Sequence, residues 1–170
     1  PLGRPGRAPA RGPPRASGYL LLGANPLARH LARHLVDAGE EVTLIDSNAD
    51  ECRAAEAAGF LVVVGDALDA ATLARIRPEA RQACVGLTSN ERINLEFARK
   101  ISDEFPGPVV YVAIDDDAVG VTPDFVQAQR ARVLFGGVRD LHAWFARWRQ
   151  DACVTEWFTR APEGEGVVAT

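Results

Sequence analysis

The residues best suited to chemistry stand one set after another, each directly behind a short apolar run. Gly23-Ala24-Asn25-Pro26-Leu27-Ala28 follows residues 19–22, and Asp46-Ser47-Asn48 follows residues 42–45. Gly65-Asp66-Ala67 follows residues 60–64, and Thr88-Ser89-Asn90 follows residues 83–87. The first set is a variant of a glycine-rich turn. Gly23 can make a tight strand-to-helix turn, Ala28 is small enough for close helix–sheet packing, and Pro26 suits a first helical turn because its missing N–H costs nothing there. A helix beginning at such a turn presents free amides and its positive dipole end, which suits a phosphate. Asn25 stands where glycine would let the backbone approach a pyrophosphate. A side chain narrows that gap and favours a mononucleotide or a weaker grip.

Asp46 lies about 20 residues beyond the turn, where a carboxylate accepts hydrogen bonds from ribose hydroxyls and repels a 2′-phosphate. The same residue could instead cap the next helix with Ser47 and Asn48. Asp66 could accept from an adenine amino group or cap the helix starting near Ala70. Thr88, Ser89 and Asn90 can cap the helix that follows, or face the second half of a nucleotide.

The elements that must position these residues are legible from periodicity. Short apolar runs alternate with helical stretches from Tyr19 onward, the signature of βαβ units on a parallel sheet. Strands are predicted at residues 19–22, 42–45, 60–64, 83–87, 109–114 and 132–135, and helices at 26–38, 49–58, 70–76, 91–105, 124–129 and 138–149. The fold class is therefore α/β, a Rossmann-like doubly wound parallel sheet of six strands in the order 3-2-1-4-5-6 with a short C-terminal extension. Ligands of such sheets sit outside the carboxyl ends of the strands where the chain order reverses, which is where the polar sets fall. Residues 1–17, rich in Pro, Gly, Ala and Arg, read as a disordered linker, residues 18–150 as the Rossmann-like domain, and 151–170 as an extension that could begin a further module. Residues 151–160 suggest one more strand without an obvious local partner, ahead of a mobile Gly/Glu-rich tail.

Composition excludes several classes. With 170 residues and a net charge of −4, the chain fits one soluble domain and lacks the basic balance of a nucleic-acid binder. Cys52, Cys84 and Cys153 are odd in number and far apart, so neither a metal nor a disulfide pattern can be read from them. Lys100 is the only lysine, and no tyrosine stands four residues before it, so a Tyr-x-x-x-Lys catalytic pair is absent. His30 and His34 are expected on a helix surface rather than on a metal, and Asp115-Asp116-Asp117 reads as a solvated turn rather than a cation site. An NAD-dependent oxidoreductase would need an acid/base group and a substrate pocket that no residue set here supplies. A protein-interaction module is a further alternative, since Val138, Leu141, Trp144, Phe145 and Trp148 form an apolar stripe at helical spacing.

Taken together, the turn at Gly23, the strand-ending Asp46, Gly65-Asp66-Ala67 and the segment from Thr88 to Asn94 make residues 18–149 resemble the KTN/RCK (TrkA-N type) family. These are regulatory nucleotide-binding domains of potassium channels, potassium uptake systems and cation/proton antiporters. The resemblance implies no enzyme activity. It implies an adenine nucleotide (AMP, ADP, ATP or NAD(H)) held by Gly23, Ala24, Asn25, Pro26, Asp46, Ser47, Asp66, Ala67 and Thr88, with no metal. It also implies a homodimer attached to a membrane-embedded cation transport domain, above all a cation/proton antiporter, at the cytoplasmic face of the membrane. The family's usual second lobe is not recognisable after Arg149.

Overall fold

Side chains alternate across the first strand, and both faces of that alternation are apolar, so the strand must be covered on both sides. The computed structural model describes residues 16–115, 120–137, 139–141, 143–144, 146, 157–158 and 168–169. In it Leu21 packs into a layer with Leu27, Ala28, Ala32 and Leu35, while Leu20 and Leu22 pack into the opposite layer with Leu73, Phe97 and Ile101.

Six strands form one sheet in the predicted order β3-β2-β1-β4-β5-β6. They are β1 (Tyr19–Leu22), β2 (Val42–Asp46), β3 (Leu61–Val64), β4 (Ala83–Gly86), β5 (Val109–Val112) and β6 (Arg132–Val133), and every pairing is parallel. Helices α1 (Pro26–Asp37) and α2 (Ala49–Ala57) cover one face. On the other face lie α3 (Ala70–Ile76), α4 (Glu91–Glu104) and α5 (Pro123–Ala128). Leu22 is in register with Ile45 on one side and Gly86 on the other. The chain order reverses at β1, and a crevice opens beyond that register.

Helix starts follow the sequence closely, because side-chain acceptors fix them. Asn25, Asn48, Asp69, Asn90 and Thr122 each accept a backbone N–H in the first turn of α1 to α5 respectively. The apolar stripe of α1 buries Leu27, Ala28, Ala32 and Leu35, and truncating one buried leucine of this kind costs about 2–5 kcal/mol.

The C-terminal part departs from expectation in three ways. β6 stops at Val133, and Leu134–Gly136 form a 3-10 turn in which Phe135 is buried with φ 58, so the predicted strand does not reach residue 135. The buried Phe135 ring holds that left-handed turn in place. The last helix, expected from about residue 138, is not yet formed at Arg139 and Asp140 and is under way at Leu141, because Arg139 forms a parallel bridge with Asp115 and Asp140 caps the Ala143 amide at 2.7 Å. Asp115 is buried, at 4% exposure, and so is not part of a solvated turn; Asp116 and Asp117 lie outside the described residues. Leu141 and Trp144 pack on the α1 side of the sheet, whereas Val138, Phe145 and Trp148 of the apolar stripe also lie outside the described residues.

The strand expected within residues 151–160 is present as β7 (Trp157–Phe158), and its partner is β8 (Val168–Ala169), antiparallel to it. β8 lies against the Leu134–Gly136 turn. Residues 1–15 of the expected linker are outside the description; Ser17 donates to the Ala80 carbonyl at 3.0 Å.

Candidate functional site

At the carboxyl end of β1 the backbone must turn sharply into α1. Gly23 does this with φ +118, and a Cβ there would lie 2.7 Å from the Leu87 carbonyl oxygen. Both the backbone angle and the contact demand glycine. The Ala24 amide that follows donates to Asp46 Oδ2 at 2.8 Å, and the other oxygen of the same carboxylate, Oδ1, accepts from Asn48 N at 2.8 Å. Asp46 thus joins the turn after β1 to the start of α2 while its carboxylate stands at the mouth of the crevice.

Asn25 occupies the position that glycine would hold in a dinucleotide turn. Its Oδ1 accepts from Ala28 N at 3.0 Å, and its Nδ2 donates to the Leu87 carbonyl at 2.7 Å. The side chain is folded back over its own turn and tied to the end of β4, so it forms a wall of the hollow rather than plugging it.

On the far side, Thr88 N donates to Asn94 Oδ1 at 2.9 Å, the Thr88 hydroxyl donates to the same oxygen at 2.7 Å, and Asn94 Nδ2 donates to Thr88 O at 3.0 Å. Asn94 is fully buried in the apolar face of α4, and it sits close enough that a Cβ on Gly86 would approach its Cβ to 3.0 Å and its Cα to 3.1 Å. Satisfying all polar atoms of a buried amide in this way fixes the loop after β4 rigidly.

Between these turns lies a cleft of about 440 Å³, large enough for part of a nucleotide. Asn25, Asp46, Ser47, Asp66, Ala67 and Thr88 line it, so these predicted positions meet in one place. Gly23, Ala24 and Pro26 do not line it. Gly23 and Ala24 are buried beneath it, and Pro26 opens α1. Asp66 accepts from Leu68 N at 2.8 Å, and the helix α3 is capped by Asp69 instead. Capping α3 was one reading open to Asp66, and it does not hold. Asn90, not Ser89, caps α4.

Asn48, which sequence read as a helix cap, also lines the cleft, as do Glu51, Leu68 and Ile93, which were not singled out by sequence. Glu51 lies in the first turn of α2, where an acidic residue reads simply as a complement to the helix dipole. Asn94 did carry a signal: it is a polar residue on the same helical stripe as Phe97, Ala98 and Ile101. Arg29 Nη1 donates to Glu51 Oε2 at 2.7 Å and to the Ala24 carbonyl at 2.6 Å, bracing the turn from outside.

Other titratable groups stand apart. His30 and His34 bring their Nε2 atoms to 3.0 Å on α1. Burial, and secondarily the charge of His34, lower the His30 pKa to about 4. Both rings are half-buried rather than fully on the surface. Burial pushes the Cys84 thiol up to about 12, which makes it an inert apolar filler. Among the described residues no group of three or more His, Cys, Asp or Glu side chains could hold a metal ion. Among them too, no helix is long and apolar enough to cross a membrane.

Comparison with known proteins agrees with this geometry. The family model of the TrkA-N domain matches residues 19–122. The Trk system potassium uptake protein TrkA of Mycobacterium tuberculosis is 30% identical over 94 residues, covering 55% of this chain and 43% of that protein. The chain therefore spans less than half the length of that curated relative. The TrkA-N domain of the Escherichia coli inner membrane protein ybaL superposes with a TM-score of 0.62 at 14% identity, covering 82% of this chain and 98% of that one. A GsuK channel bound to NAD superposes with a TM-score of 0.59 at 20% identity, over 74% of this chain and 24% of the channel. At these identities the two structures speak for the fold.

Proposed function

This chain belongs to the TrkA-N domain family, and we propose that it is a regulatory domain that binds an adenine nucleotide and controls a potassium or other cation transport protein. The observation that carries the reading is the cleft beyond β1, β2, β3 and β4, where Asp46 and Asp66 both line a hollow of about 440 Å³. In that frame the Asp46 carboxylate, already oriented by two backbone amides, accepts from ribose hydroxyls through its remaining lone pairs. Asp66 with Ala67 borders the adenine side, and Thr88 with Ser47 closes the rim. AMP, ADP, ATP and NAD(H) are the candidate ligands; the NAD-bound channel of the same fold supports that class. Among the described residues lining the cleft, the candidate acids and bases are three carboxylates already engaged, Asp46 and Asp66 by backbone amides and Glu51 by Arg29, which favours sensing over turnover.

Regulation then works by population shift: a nucleotide that binds one arrangement of the domain better than another biases whatever is attached to it. We assign the domain to a homodimer at the cytoplasmic face of the membrane, acting on a membrane-embedded cation transport domain, with a cation/proton antiporter as the first candidate. Calorimetry of the purified chain with these nucleotides tests the reading. Saturable heat is expected, and Asp46→Ala should weaken binding by about 1–3 kcal/mol, with a melting curve confirming that the variant is folded. Steady consumption of NADH with a small substrate would overturn it in favour of an oxidoreductase.

A further inference from the structure

Around this cleft the chain satisfies several of its own anion-binding groups. Helix starts ordinarily offer unpaired amides to a phosphate. In α1, Pro26 has no N–H and the Ala28 amide is taken by Asn25 Oδ1 at 3.0 Å, while the Ala24 amide before the helix is taken by Asp46 at 2.8 Å. In α2, Asn48 Oδ1 accepts from Asp50 N at 2.9 Å and Glu51 N at 3.4 Å. In α4, Asn90 Oδ1 accepts from Ile93 N at 3.2 Å. Of the first-turn amides of α1 only Leu27 keeps no side-chain acceptor.

Side-chain charge points the same way. Asp46, Glu51 and Asp66 line the cleft, and among the described residues no lysine or arginine lines it. The cation closest in the network, Arg29, is bound to Glu51 at 2.7 Å and to the Ala24 carbonyl at 2.6 Å, so its charge is offset by a cleft carboxylate.

We infer, building on the adenine-nucleotide reading above, that this cleft selects its ligand by low charge. It takes adenosine compounds with no more than one phosphate in preference to the di- and triphosphates. Each added phosphate meets carboxylates without a compensating cation and with few amides to receive it, so affinity falls along the series rather than rising. Asn25 and Glu51 are the residues that set this selectivity: one occupies the amide that a phosphate would use, and the other holds Arg29 away.

The experiment is calorimetry of the whole chain with adenosine, AMP, ADP and ATP in magnesium-free buffer, a series in which only the phosphate number changes. ATP should bind about tenfold more weakly than AMP, and raising salt from about 50 to about 300 mM should strengthen ATP binding, because screening relieves repulsion. Glu51→Gln, which frees Arg29, and Asn25→Gly, which frees the Ala28 amide, should each narrow the AMP-to-ATP gap by several-fold. ATP binding as tightly as AMP, or a gap unchanged in both variants, overturns the charge rule and leaves the nucleotide reading standing. Silence with all four compounds and with NAD(H), from protein that still shows a cooperative melting transition, overturns the nucleotide reading itself and the rule with it.

Discussion

The turns after β1 and β4, at the centre of the sheet, are held by part-buried side-chain bonds, those after β1 reaching 22 and 62 residues along the chain, whereas the side-chain bonds that start the segments after β2 and β3 include exposed ones to atoms two or three residues away. Ala24 is tied to Asp46, and Asn25 to Leu87, 62 positions further on. Thr88 is locked by Asn94, which is fully buried. On the outer side, Asn48 caps through Asp50 and Glu51, and Asp66 reaches only to Leu68, all in solvent-exposed positions. The central turns are therefore part of the core and are set before any ligand arrives. The outer turns depend on local bonds that water can replace, and they form the side of the cleft able to adjust.

That contrast can be broken by mutation, and the largest effect should come from the buried amide. Asn94→Ala leaves the Thr88 amide and carbonyl without their buried partners and should lower stability by about 3 kcal/mol in urea unfolding. A loss below about 1 kcal/mol would show that the turn after β4 is not locked as described. Gly23→Ala forces a side chain into a left-handed backbone against the Leu87 carbonyl, 2.7 Å away, and should cost about 2 kcal/mol.

A matched pair of caps sharpens the comparison. Asn48→Ala removes an ordinary exposed cap and should cost about 1 kcal/mol. Asn25→Ala removes a cap and also the donor to Leu87, and should cost about 2 kcal/mol. Equal losses in the two variants would mean that the long-range tie contributes nothing.

The smallest effect lies farther along α1. His30 titrates near its ordinary 6.5 in the unfolded chain but at about 4 in the fold, so between those values the unfolded chain binds more protons. Stability should therefore be intact above about 6.5 and should fall as pH drops from there towards about 4. Partial exposure of the ring keeps the change small. Thermal melts across that range should show a shallower decline for His30→Gln than for the parent chain; identical slopes would assign the decline to other groups.

How much of this was legible in sequence differs between the same regions. The strand order, the glycine turn and the strand-ending Asp46 all follow from local pattern: apolar runs of strand length, helical periodicity, and a small residue where the chain must turn. Phe135 and Asp115 misled the reading because each is decided by what covers it. An aromatic after a short strand and three adjacent aspartates both look ordinary until the turn and the Asp115–Arg139 bridge bury them.

Sequence alone determined that polar sets follow four successive strands, and parallel topology obliges those sets to converge at one edge. It could not determine what each polar side chain would bond to. Asn25 reads equally as an obstruction or as a cap until Leu87 is placed 2.7 Å from its amide. Glu51 reads as a helix-start acid until Arg29 arrives from another helix. Periodicity is a property of neighbours along the chain, whereas hydrogen bonds between turns depend on distances that only the packed sheet fixes.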